Sequence, residues 1–119
     1  GDDVSIITYV AGVHWALEEA KNYSADILDL RTLLPFDKEA IEETVKKTGK
    51  VLILHEDTLI GGIGAEISAY INEHLFEYLD APVMRCASLD TPVPFAISLE
   101  KNFLAKSRLK ITLEKLLNY

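Results

Sequence analysis

Apolar positions along this chain switch repeatedly between two spacings. Val4-Ser5-Ile6-Ile7-Thr8-Tyr9 is a short β-branched run and predicts a buried strand. After Val10-Ala11-Gly12 the spacing changes. Val13, Ala16, Leu17 and Ala20 fall at i, i+3, i+4 and i+7, the pattern of a helix with one apolar stripe, with Glu18, Glu19 and Lys21 on its other face. Asn22-Tyr23-Ser24 closes that helix, and a second strand runs from Ala25 to Leu30. Thr32-Leu33-Leu34-Pro35-Phe36 reads as a loop. Asp37 then stands where an N-cap carboxylate can accept from the free amides of a first helical turn. The helix that follows carries Ala40, Ile41 and Val45 inward and ends at Lys46-Lys47-Thr48-Gly49, cations in the last turn and glycine just beyond.

Val51-Leu52-Ile53-Leu54 is apolar throughout, as in a strand covered on both faces. Gly61-Gly62-Ile63-Gly64 opens a long helix with Ile67, Ile71, Leu75 and Leu79 at four-residue spacing. A fourth strand runs over Pro82-Val83-Met84-Arg85-Cys86-Ala87, followed by an irregular stretch from Ser88 to Phe95 that Pro92 and Pro94 keep extended. A final helix begins near Lys106 and places Leu109, Leu113, Leu116 and Leu117 on one face. This alternation predicts an α/β fold, a three-layer α/β/α sandwich around a mostly parallel sheet. Periodicity alone assigns no strand order.

Composition narrows the function more than the fold. The 119 residues are 49% hydrophobic and 26% charged, ordinary for one globular domain spanning 1–119. A formal net charge of −7 argues against nucleic acid as a partner, because phosphate binding needs a basic face. It suits a basic protein partner, although acidity also serves plain solubility. The lone Cys86 cannot form an internal disulfide. No window approaches the roughly 20 apolar residues of a membrane span, and Gly1-Asp2-Asp3 lacks the features of a signal peptide. Gly1 immediately before a strand pattern suggests the boundary of a fragment.

In open α/β sheets, ligands favour the carboxyl ends of the strands. His55-Glu56-Asp57 follows the third strand there. An imidazole beside carboxylates can act as a base or join a metal site. Adjacent residues point apart, however, and no second His or Cys stands at ligand spacing, which favours a histidine that simply hydrogen-bonds at a strand end. Gly61, Gly62 and Gly64 would let an anion approach the amides of a helix N-terminus. They match neither the dinucleotide fingerprint nor a P-loop, and glycine equally serves a tight turn. Arg31 can clamp a carboxylate or phosphate bidentately or brace a loop through an internal acid. Asp90-Thr91-Pro92-Val93-Pro94-Phe95 reads either as an Asx-turn or as a rigid surface presenting Phe95 to a partner. No nucleophile, base and orienting group can be assembled, and no serine sits in a G-x-S-x-G elbow. The residues alone therefore allow either an assembly subunit or a stand-alone module that binds small anions through Arg31 and the Gly61–Gly64 turn.

Several segments in register carry a resemblance. Asp29-Leu30-Arg31-Thr32-Leu33-Leu34-Pro35-Phe36-Asp37 is similar to the D-L-R-T-L-x-P-x-D segment of transketolase-type C-terminal domains. So are His55-Glu56-Asp57, Gly61-Gly62-x-Gly64-Ala65-Glu66-Ile67, Ala81-Pro82-Val83-x-Arg85, and Asp90 to Phe95 with Phe103-Leu104 after it. In this order they resemble the C-terminal domain of the β subunit of thiamine-diphosphate-dependent 2-oxoacid dehydrogenases. Tyr9-Val10-Ala11-Gly12-Val13-His14-Trp15 and Leu117-Asn118-Tyr119 look more like the branched-chain (2-oxoisovalerate) than the pyruvate enzymes. Val10, the short Asn22-Tyr23-Ser24 link, Ser88 and Ala105 depart from the family's usual residues.

The resemblance implies a five-stranded, mainly parallel sheet. It also implies a division of labour in which the parent enzyme uses thiamine diphosphate and magnesium to decarboxylate a branched-chain 2-oxoacid and pass the acyl group to lipoamide. The cofactor and its catalytic histidine belong to other domains, so no catalytic, cofactor or metal residue is expected in this one. Its expected partners are the α subunit or α-like region, a second β subunit, and the basic subunit-binding domain of the acyltransferase. The last makes Asp80, Asp90, Phe95 and Tyr119, with the chain's terminal carboxylate, candidate docking groups. The implied compartment is the cytoplasm of a bacterium or the mitochondrial matrix of a eukaryote.

Overall fold

The computed structural model describes residues 2–8, 18, 21–30, 37–55, 63–87 and 98–119. Four parallel strands form its sheet: β1 (Val4–Thr8), β2 (Ala25–Asp29), β3 (Val51–His55) and β4 (Met84–Ala87), in the order β2-β1-β3-β4. Among the described residues, the helices that pack on it are α1 (Lys38–Thr48), α2 (Ile63–His74) and α3 (Ser98–Leu117), with a 3-10 turn over Phe76–Tyr78. Four strands among the described residues is one fewer than the resemblance implies. The helix expected around Val13 to Ala20 and the stretch from Ser88 to Phe95 lie outside the described residues, apart from Glu18.

The layers follow from the alternation of side chains along each strand. Val51 and Ile53 of β3 face one side, with Ile7 of β1, and meet Ile41 and Val45 of α1 and Ile67, Ile71 and Leu75 of the α2 segment. Leu52 and Leu54 face the other side, with Val4 and Ile6, and meet Leu109, Leu113 and Leu116 of α3. Val51 to Leu54 of β3 are apolar throughout because both faces of that strand are covered, and every residue of β1 is buried, Ser5 and Thr8 included.

The expected helix signals are present in α1. The Asp37 carboxylate accepts from the Ala40 amide at 3.0 Å, a cap contributing about 1 kcal/mol. At the other end Gly49 adopts φ 71°, and its N–H donates to the Val45 carbonyl at 2.9 Å. β4 begins at Met84, two residues after the expected Pro82, β2 ends one residue early at Asp29, and two helix boundaries differ from expectation. α2 stops at His74, and the chain tightens into the 3-10 turn, where the Tyr78 N–H donates to Leu75 O at 3.0 Å and the Leu79 N–H to Phe76 O at 3.1 Å. Leu75 and Leu79 still join the core, from a narrower winding than the four-residue spacing assumed. α3 begins at Ser98, well before Lys106. The leucine stripe marks only the part that packs on the sheet, while the preceding turns contain neither glycine nor proline and continue as helix. Lys50 ties its far end down by donating to the Leu117 carbonyl at 2.9 Å.

Candidate functional site

The carboxyl ends of the strands, where chemistry was expected, are described only in part. His55 closes β3 in register with Ala87, and Gly64 is buried in the first turn of α2. Arg31, Gly61, Gly62, Asp90 and Phe95 lie outside the described residues. Thr8, at the end of β1, is fully buried, and its hydroxyl has no hydrogen-bond partner among the described residues. No group of three His, Cys, Asp or Glu side chains able to hold a metal occurs among them either. The Cys86 thiol is buried, and burial raises its pKa, so it carries little of the reactive thiolate.

The other end of the β4 edge is open. A groove of about 630 Å³ runs between α2 and β4. One wall is the face of α2 formed by Ala65, Ser68, Ala69 and Asn72, at i, i+3, i+4 and i+7. This face lies beside the stripe of Ile67 and Ile71 that packs on the sheet. Its side chains are all short, so the helix backbone stays close to the groove. The opposite wall is Leu79 to Val83 with Arg85, whose place in β4 opposite Ile53 turns it toward the α2 side of the sheet. Pro82 lacks an amide where the chain enters an edge strand, which costs no ladder bond. Phe76 and Tyr119, each 69% exposed, also line the groove.

Asp80 sits on the groove wall, and its N–H donates to the Gly49 carbonyl at 2.7 Å. The nearby cations of α1 are engaged elsewhere. Lys46 pairs with Glu42 at 2.9 Å and lies 5.0 Å from the Tyr78 ring, and the hydrogen bond to Glu42 raises its pKa. Lys47 reaches Asp26 at 3.6 Å. Two of the four expected docking residues, Asp80 and Tyr119, thus share one groove although 39 positions separate them. Sequence reasoning missed Phe76 and the short-residue face of α2. The face was visible as a second i, i+3, i+4 series beside the isoleucines; Phe76 carries no comparable signal.

The profile of the transketolase C-terminal domain matches residues 1–108. The chain belongs to that family. The β subunit of 2-oxoisovalerate dehydrogenase from Bacillus subtilis is 48% identical over 110 residues, covering 87% of this chain and 34% of that protein. The pyruvate dehydrogenase E1 component β subunit of Porphyra purpurea is 45% identical over 106 residues, covering 85% of this chain and 32% of that protein. The corresponding subunit of Rickettsia bellii is 42% identical, with 85% and 33% covered. The chain therefore spans about a third of the length of the curated relatives it matches. Among solved structures, a split-gene transketolase described as an inactive β4 tetramer superposes with a TM-score of 0.79 at 28% identity, covering 99% of this chain and 39% of that one. The family's parallel α/β fold is thus the one observed, and no helix among the described residues is long and apolar enough to cross a membrane.

Proposed function

We propose that this chain is the C-terminal assembly and docking domain of a 2-oxoacid dehydrogenase β subunit, and that the groove between α2 and β4 receives the acyltransferase. The parent enzyme decarboxylates a branched-chain 2-oxoacid and passes the acyl group to lipoamide. The branched-chain preference is supported by the Bacillus relative at 48% identity, against 45% for a pyruvate enzyme, a narrow margin. The observation that carries the docking role is the convergence of Asp80 and Tyr119 on one groove. An exposed carboxylate that shares a groove with two exposed aromatic side chains suits a basic partner with an apolar anchor, since aromatic side chains and charge complementarity carry much of interface recognition.

Thiamine diphosphate and magnesium would serve the parent enzyme, in the bacterial cytoplasm or the mitochondrial matrix. The described residues do not fit them. Magnesium bound with a diphosphate needs converging oxygen ligands, and the groove holds Asp80 as its single carboxylate side chain. No chemical step is assigned to this domain. Its contribution is positional: it holds subunits and partner in a fixed arrangement, which spares the entropy of bringing them together.

The full-length subunit, assembled with its α subunit, provides the test. Removal of Asn118-Tyr119 is expected to weaken binding of the acyltransferase's subunit-binding domain by tenfold or more, about the effect of losing one well-placed interface residue. Decarboxylation of free 2-oxoacid, assayed in parallel, separates a docking defect from a misfolded subunit. Unchanged binding would rule out the terminal carboxylate as an anchor. Assays with 2-oxoisovalerate and pyruvate decide the substrate.

A further inference from the structure

The placement of Asp80 is unusual for an acid. Its backbone amide bonds the carbonyl of Gly49, the residue that ends α1. A Cβ built on Gly49 would overlap a carboxylate oxygen of Asp80, lie 3.0 Å from its Cγ, and come within 3.1 Å of the Tyr78 carbonyl. Any side chain here would therefore have to displace the exposed Asp80 carboxylate and press on the Tyr78 carbonyl. The carboxylate also stands at the C-terminal end of a helix, where the macrodipole disfavours negative charge. Among the described residues it has no ion pair or side-chain hydrogen bond, and Lys46 and Lys47 are held by Glu42 and Asp26. Folding alone would favour a cation or a neutral side chain here.

We propose that Gly49 is a positioning residue for partner recognition: by lacking a side chain it seats the Asp80 carboxylate at the groove wall, where that carboxylate receives a lysine or arginine of the docking partner. This rests on reading the groove as the docking surface. Gly49 touches no partner itself. Its φ of 71° serves the helix terminus, and its missing Cβ serves Asp80. These two roles are separable, because asparagine tolerates the left-handed region yet restores the Cβ.

The experiment is a double-mutant cycle on the full-length subunit with its α subunit, titrated calorimetrically with the subunit-binding domain of its own acyltransferase. Asp80→Ala is expected to weaken binding about three- to tenfold, the range for a charge at an interface rim. Gly49→Asn is expected to weaken it several-fold in the wild-type background and not at all once Asp80 is alanine, because the effect travels through the carboxylate. The dependence of binding on salt should fall in both single variants. Equal losses from Gly49→Asn in both backgrounds, or no loss in either while Asp80→Ala weakens binding, would overturn the positioning role. Ala69→Arg, which fills the groove, tests the underlying reading separately. If it leaves binding unchanged, the docking surface is elsewhere and both readings fall. If it abolishes binding while the cycle is additive, only the role of Gly49 is lost.

Discussion

The two edges of the sheet place an aspartate in opposite circumstances. At the β2 edge, Asp26 accepts from the Thr44 hydroxyl at 2.5 Å and lies 3.6 Å from Lys47. The Thr44 hydroxyl also meets the Ser5 hydroxyl at 2.7 Å, and Ser5 meets Thr48 at 2.6 Å, so a chain of hydroxyls runs from the surface to the central strand. Ser5 and Thr44 are buried and fully used. At the β4 edge, Asp80 faces an open groove with no such partner among the described residues. One edge is finished within the domain. The other keeps a charge and apolar surface ready for something outside it, which is the difference expected between an edge that serves stability and one that serves association.

The largest effect should come from breaking the closed edge. Thr44→Val keeps the shape and deletes the hydroxyl, leaving Asp26 and Ser5 each short of a partner. Losing a hydrogen bond to a charged group in a mostly buried setting costs about 2 kcal/mol. Urea unfolding should show that loss in the midpoint with an unchanged slope. A shift below about 0.5 kcal/mol, the level of an ordinary surface change, would mean that the hydroxyl chain does not hold this edge.

How much of this contrast could be read beforehand depends on distance along the chain. The strands, the sealed faces of β1 and β3, the Asp37 cap and the Gly49 stop are local patterns of period, propensity and end signals, and they emerged with boundaries displaced by a few residues. The leucine spacing marks the start of α3 too late because burial, not helicity, produces it. The hydroxyl chain joins Ser5 to Thr44 and Thr48 across 39 and 43 positions, and no local pattern marks a serine in a strand as its anchor. The groove is similarly assembled from α2, the 79–85 segment and Tyr119. In the sequence, Asp80 and Tyr119 stand out only through the family resemblance, while Gly49 reads solely as a helix stop. Its contact with Asp80 needs the fold.

An intermediate effect belongs to Gly49. Alanine there must adopt a positive φ and accommodate the Asp80 carboxylate, which together should cost about 1 to 2 kcal/mol. Asparagine should recover the part due to φ. A thermal-unfolding series of Gly49→Ala, Gly49→Asn and wild type therefore divides the cost between backbone and contact. If alanine and asparagine are equally destabilising, the crowding against Asp80 and Tyr78 dominates; if asparagine matches wild type, the close approach contributes nothing to stability.

The smallest effect carries the sharpest contrast, because it is a difference in sign. Asn for Asp removes one negative charge at either edge with almost no change in volume. Asp26→Asn weakens an acceptor that holds Thr44 and Lys47, and should destabilise the fold by about 1 kcal/mol. Asp80→Asn removes a negative charge from the C-terminal end of α1 and breaks no ion pair among the described residues, so it should stabilise by about 0.3 to 1 kcal/mol at low salt. That gain should shrink as salt screens the dipole interaction. Chemical denaturation of both variants at low and high salt measures the two signs directly. Destabilisation by Asp80→Asn would mean that the carboxylate contributes to folding, and its open position would no longer indicate selection for a partner. Stabilisation, combined with weaker docking, would identify Asp80 as a residue kept for association at the expense of the fold.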